Sequence, residues 1–212
     1  MGTGWWSSTH VRCTERVGRL LVVLLSVLLL EWGGGAARAS SHGLLRGLPI
    51  LPPEPVIDFT LVDQHGRAFR LRDQRGYLVV LTFGFTSCLD LCPLTLGTLK
   101  RAYTALGKER RRVRVALITV DPRRDTPARL KTSLGSFHPD FIGLTGPEPE
   151  RFRLYKSFGV VPERYMLDAH RLVVNHPPAI YLIDRAGYLR VSYNWGGPAE
   201  DIAHDIRVLL QN

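Results

Sequence analysis

From residue 56 onward the apolar positions follow two periods. Residues 77–85 (YLVVLTFGF) and 113–120 (VRVALITV) are almost continuously apolar and rich in β-branched and aromatic side chains, the pattern of strands buried on both faces. Between them, residues 93–106 carry Leu94, Leu96, Leu99, Tyr103 and Leu106, close to the 3.6-residue period of a helix. Residues 126–137 predict a second helix with Pro127 at its first position, 141–144 a short strand, and 147–158 a third helix. Residues 179–184 (AIYLID) and 188–193 predict strands around an Arg185-Ala186-Gly187 turn. Residues 198–210 close the chain as a helix with Ile202, Ile206, Leu209 and Leu210 on one side. Upstream, 58–62 and 68–71 flank Gln64-His65-Gly66, a hairpin with glycine in its turn.

The predicted order is hairpin, β-α-β-α, then a second hairpin and a last helix. Strands that alternate with helices and then finish as neighbours imply an α/β domain with a mixed sheet flanked by helices. A thioredoxin-like fold has this order. Residues 40–55 (SSHGLLRGLPILPPEP) are rich in Gly and Pro and predict a tether. The domain organisation is then an N-terminal segment over 1–39, a linker over 40–55 and one domain over 56–212, without internal repeats.

The N-terminal segment changes the setting. Arg12, Arg16 and Arg19 precede an apolar run over residues 20–30, followed by glycines and Ala37-Arg38-Ala39. A basic region, a short apolar core and an A-x-A pattern make an export signal. The apolar run falls short of the roughly 20 residues that span a bilayer, so cleavage near Ala39 is expected, with an uncleaved anchor as the alternative. Both place the domain outside the cytoplasm, in the periplasm or on the outer face of a membrane. Position 40 is Ser, so no cysteine there carries a lipid. The composition is otherwise that of a globular protein, with 45% hydrophobic and 22% charged residues. The formal charge of +9 suits an acidic partner or anionic surface. No nucleic-acid motif accompanies it, and the basic run over 108–114 (KERRRVR) is read as a solvated turn between helix and strand.

Of the three cysteines, Cys13 lies in the basic part of the signal. Cys88 and Cys92 remain, in FTSCLDLCPLT, just after the first buried strand and before a helix. A structural disulfide is the plainest use of two exported cysteines, but so short a loop restrains the unfolded chain little. Pro93 favours an early helical position, which sets Cys92 at or near the helix N-cap and Cys88 in the loop before it. A helix N-terminus stabilises thiolate, the form that attacks disulfides and binds metals. Redox couples typically use Cys-x-x-Cys; the wider spacing here can hold both sulfurs around an ion. Two thiolates leave a metal under-coordinated, and His176 is the best third ligand. If strand 179–184 runs antiparallel to strand 77–85, His176 lies three residues before a strand start at the same sheet end as Cys88. His42, His65, His138, His170 and His204 are read as surface or hydrogen-bonded residues. Two thiolates and an imidazole suit copper, as Cu(I) or Cu(II), and also zinc; structural zinc wants four ligands, which favours copper. Asp90, between the cysteines, and Asp121, after the second buried strand, are candidates to add charge or a hydrogen bond near the ion, with a turn-capping role as the alternative for Asp121.

Four stretches together resemble the SCO family, also called SenC: FGFTSCLDLCP at 83–93, TVDPRRDTP at 119–127, FIGLTG at 141–146, and His176 with YLID at 181–184. The resemblance covers about residues 55–212. It implies a thioredoxin-like fold and copper held by Cys88, Cys92 and His176. It also implies a metallochaperone that delivers copper to the dinuclear centre of cytochrome c oxidase subunit II, or reduces that subunit's cysteines before metallation. Members are commonly held at the membrane by their N-terminal segment. The chain departs from the family pattern at Ser87 and Leu89, where His and Pro often flank the first cysteine. It departs again at Pro177 and Pro178, where small residues usually follow the histidine. Pro178 falls about where thioredoxins keep a cis-proline. The competing expectation is a thiol-disulfide oxidoreductase, with Cys88 attacking and Cys92 resolving and His176 as base or bystander. A structural domain with a small disulfide ranks below both.

Overall fold

The computed structural model describes residues 44–88, 91–166, 172–175, 179–194 and 197–211. The expectations for residues 1–43, His42 among them, and for Leu89, Asp90, His170, His176, Pro177 and Pro178 lie outside them. Among the described residues no helix is long and apolar enough to cross a membrane.

Among the described residues ten strands run in chain order: β1 (Leu48–Pro55), β2 (Thr60–Asp63), β3 (Ala68–Arg70), β4 (Leu78–Gly84), β5 (Val113–Thr119), β6 (Ile142–Thr145), β7 (Glu163–Met166), β8 (Leu172–Asn175), β9 (Ala179–Ile183) and β10 (Tyr188–Asn194). The helices are α1 (Leu91–Ala105), α2 (Pro127–Phe137), α3 (Glu148–Ser157) and α4 (Ala199–Gln211). Eight strands form one mixed sheet in the order β1-β10-β9-β4-β5-β6-β2-β3, and β7 pairs with β8 in a separate ladder.

The two apolar runs that dominate the sequence sit at the centre of this sheet. β4 and β5 pair in parallel from Leu78↔Val113 to Gly84↔Thr119. Alternation along β4 feeds two cores. Leu78 and Val80 pack with Leu96 and Leu99 of α1 and Ile202 and Ile206 of α4. Val79, Leu81 and Phe83 pack on the other face with Ile118, Leu144 and Leu154. Both faces are covered, so the run is almost wholly apolar, and its one hydroxyl side chain, Thr82, is buried with a hydrogen-bond partner. β9 is antiparallel to β4, with Thr82 opposite Ile180. The C-terminal ends of β4 and β5 and the start of β9 therefore share one end of the sheet.

The tether expected over 40–55 is in part a strand. β1 occupies its second half and pairs antiparallel with β10, with Leu48 opposite Ser192, Pro55 opposite Tyr188, and an irregularity between. Prolines cannot donate to a ladder, so their place in a sheet is an edge, and β1 is an edge strand. The segment is tied down just before it. The buried Asp205 carboxylate of α4 accepts hydrogen bonds from the backbone N–H of Arg46 (2.9 Å) and Gly47 (2.9 Å) and from the Tyr193 hydroxyl (2.5 Å). Burial and this carboxylate push the Tyr193 hydroxyl pKa up. A cis peptide bond joins Leu51 and Pro52. β7 and β8 are also absent from the sequence expectations: each is four residues long, too short to show a period.

The remaining elements match their predicted places within one or two residues. Gly66 and Gly187 close the two hairpin turns at φ 76° and 84°, a region that glycine enters without steric cost. Thr126 caps α2, its side chain accepting from the Arg129 backbone N–H at 3.3 Å, with Pro127 in the first turn. Replacing Thr126 with Ala is expected to cost about 1 kcal/mol. A urea titration checks this as a lowered midpoint at unchanged slope.

Candidate functional site

At that shared sheet end, β4 leads directly into the cysteine loop. Cys88 N–H donates back to Phe85 O at 3.3 Å, turning the chain. Helix α1 runs from Leu91, one residue before Cys92, so Cys92 lies in its first turn, near the N-terminus as expected. Pro93 fits there because the first-turn N–H groups have no intrahelical acceptor. Cys92 is 7% exposed and packs with the second core, whereas Cys88 is half-buried at its margin. The Cys92 backbone N–H donates to Cys88 Sγ at 3.4 Å. A β-carbon added at Gly84 would stand 3.2 Å from Cys92 Sγ and 3.1 Å from Leu117 Cδ1, so the buried sulfur rests directly on the backbone of β4.

Cys92 is also subject to its close neighbours and to burial. Its pKa is driven up, first by the hydrogen bond with Cys88, then by burial, with a further rise from the Asp125 charge and an opposing contribution from Phe85 backbone. Without a metal the fold therefore favours the neutral Cys92 thiol. A cation bound there would have to displace that proton, as thiolate-ligated metals do.

The second loop of the site, after β5, is organised by a residue that the sequence reading passed over. Asp125 is 1% exposed. Its carboxylate accepts from Thr86 N–H (3.1 Å), Thr86 Oγ1 (2.6 Å) and Thr119 Oγ1 (2.6 Å). It thus joins the base of the cysteine loop to the end of β5. Asp121 has a different part. Its carboxylate pairs with Arg124, and its carbonyl accepts the backbone N–H groups of Arg124 and Asp125, so it shapes the turn. The signal for Asp125 was the second acid of DPRRDTP, two residues before the helical proline. Arg129 of α2 donates to Ser87 Oγ at 3.2 Å, and a shallow pocket of about 380 Å³ lies beside it, bordered by Thr86, Thr132 and Ser133.

Beneath the site, Phe83, Tyr155, Phe158 and Tyr181 form an aromatic cluster with ring centroids 4.8–6.1 Å apart. The Tyr155 hydroxyl donates to Thr119 O at 2.5 Å, and that of Tyr181 to Phe158 O at 3.1 Å. Every buried side-chain polar atom described has a partner, so the platform is stiff.

The structure thus brings Cys88 and Cys92 together. Among the described residues no group of three or more His, Cys, Asp or Glu side chains is placed to hold a metal ion. The expected third ligand, His176, and Asp90 lie outside those residues. Three residues after His176, Ala179 O accepts from Thr82 Oγ1 at 2.8 Å, so β9 begins at the end of β4 from which the cysteine loop leaves. Of the other histidines, His138 Nδ1 accepts from Asp140 N–H at 3.1 Å and its ring packs on Tyr103, a structural role.

Comparison with known proteins places this arrangement. The SCO1/SenC family model matches residues 51–211. An SCO2-like protein of Rickettsia felis is 39% identical over 146 residues, 68% of this chain and 71% of the relative. The copper-bound structure of Bradyrhizobium japonicum ScoI superposes with a TM-score of 0.68 at 32% identity, covering 74% of this chain and 99% of that one. Copper-bound yeast Sco1 superposes with a TM-score of 0.67 at 28% identity, covering 76% and 90%. The fold is thioredoxin-like, as the order of elements implied, and the chain belongs to the SCO1/SenC family.

Proposed function

We propose that this protein is an extracytoplasmic copper metallochaperone. It takes up copper through Cys88, Cys92 and His176 and serves cytochrome c oxidase assembly, delivering the metal to the dinuclear copper centre of subunit II. The observation that carries this reading is the pair of thiols brought together beyond the end of β4, Cys88 Sγ accepting the Cys92 N–H at 3.4 Å, one sulfur buried and one half-buried. Family membership and the copper-bound relatives support it. The donor chemistry fits. Thiolates are soft donors, and thiolate with imidazole suits copper in either oxidation state. A three-donor shell leaves a position through which a receiving protein's thiolates can enter, so the cargo can leave by ligand exchange. The N-terminal residues 1–39 would export the domain and, if retained, tether it to the membrane.

Direct titration tests this. The reduced protein, titrated with Cu(I) against a competing chelator, is expected to retain one tight equivalent per chain. Protein whose cysteines have been oxidised to a disulfide is expected to retain none. Affinity no better than that of a small dithiol would sink the copper reading.

A second reading has its own support, the unequal burial of the two sulfurs. In a thiol-disulfide oxidoreductase the accessible Cys88 attacks and the buried Cys92 resolves. Such a protein would reduce the cysteines of subunit II before metallation. Exchange with a model disulfide that persists when copper binding has been removed would favour this reading.

A further inference from the structure

The opposite end of the sheet carries a second concave site. A cleft of about 750 Å³ opens beside the starts of β5 and β6 and the β2–β3 turn. That is within the size range of small-molecule sites. Four arginines line it: Arg67, Arg110, Arg111 and Arg114. Two carboxylates share the cleft, and each already has a partner. Asp63 holds Arg67 at 2.9 Å, and Asp140 accepts from the Tyr103 hydroxyl at 3.3 Å. Arg110, Arg111 and Arg114 have no ion-pair partner among the described residues.

The basic run that reads as a solvated turn in the sequence is therefore divided. It forms a 3-10 helix, Gly107–Arg112. Arg112 turns away to donate to Leu210 O of α4 at 3.1 Å, while Arg110 and Arg111 face the cleft. Arg114 is held in place by stacking over the Tyr77 ring, 3.7 Å from its centroid. Tyr103 and Asp140 line the same cleft as Arg110 and Arg114; burial and Asp140 raise the Tyr103 hydroxyl pKa, and the two arginines pull it the other way. Three like charges converging on one cavity repel each other, and a bound anion relieves that repulsion. Guanidinium forks match phosphate oxygens in geometry.

We propose that this cleft binds a phosphate group, through Arg110, Arg111 and Arg114, in a molecule no larger than a nucleotide or in the headgroup of an anionic phospholipid. The site is separate from the cysteine loop, since β5 and β6 run in parallel from the cleft toward that end.

The test uses the full metal-free chain in neutral detergent at low salt. Calorimetric titration with inorganic pyrophosphate is expected to show one saturable site. The R110E/R111E variant is expected to bind at least about tenfold more weakly. Both arginines are on the surface, so the fold should survive, and circular dichroism checks this. The K131E/K156E variant removes the same charge from exposed positions on α2 and α3 and is expected to bind within about twofold of wild type. Absence of a saturable site, or equal loss in both variants, overturns the proposal. Flotation with phosphatidylcholine vesicles, with and without phosphatidylglycerol, then identifies the source. Extra capture by the anionic vesicles that pyrophosphate and R110E/R111E both remove assigns a lipid headgroup. With the pyrophosphate site established, extra capture that neither removes assigns a soluble phosphate compound.

Discussion

Exchanging Cys88 or Cys92 for serine is expected to abolish the tight copper equivalent. Replacing His176 with alanine is expected to weaken it roughly 100-fold while thiol exchange continues. A hydroxyl is a hard, protonated donor and cannot replace a thiolate for a soft ion. The imidazole estimate follows from four-ligand zinc sites, whose total of about 10–16 kcal/mol averages about 3 kcal/mol per donor. The series separates the two functions proposed for the loop. Exchange chemistry needs both sulfurs and no histidine; the copper clamp needs all three. Chelator competition reads the first quantity and reduction of a model disulfide reads the second. His176→Ala protein that binds copper as wild type does would remove histidine from the donor set.

The second large effect is expected away from the sulfurs. Asp125→Ala is expected to destabilise the fold by about 3 kcal/mol. The carboxylate is buried and accepts from one backbone N–H and two hydroxyls. Hydrogen bonds to a charged acceptor contribute about 1.5–3 kcal/mol each, and relief from burying the charge offsets part of the sum. Asp125→Asn keeps a carbonyl acceptor and should cost about 1 kcal/mol. Because Thr86 lies two residues before Cys88, Asp125→Ala should also weaken copper binding by about tenfold, the scale on which supporting hydrogen bonds act at metal sites. Urea unfolding and chelator competition measure the two effects. An alanine variant as stable as wild type would show that the two loops are held by something else.

The central sheet was legible because burial on both faces leaves a nearly continuous apolar signature. That is why residues 77–85 and 113–120 resolve into β4 and β5 within two residues. β1 was not legible, because its prolines look the same in a free tether and in an edge strand. What decides between them is Asp205, about 150 residues further along, and no local pattern carries that information. The cysteines were legible from their position between a buried strand and a helical proline. The direction of the Cys92 pKa was not, since it depends on the neighbouring sulfur and on how deeply the first turn packs. Asp125 was visible in its motif, but its role arises from a turn that only the folded chain forms. The run at 108–114 illustrates the reverse case: its charge was plain, and the direction each arginine takes was not.

The contact between Gly84 and Cys92 has a further consequence, for tolerance to change. The Cys92 sulfur lies against the β4–β5 ladder, 3.2 Å from where a β-carbon on Gly84 would stand, with Leu117 Cδ1 at 3.1 Å from the same point. A larger residue at position 84 would press on that sulfur and on the neighbouring strand together, so glycine there is tied to the placing of the buried thiol.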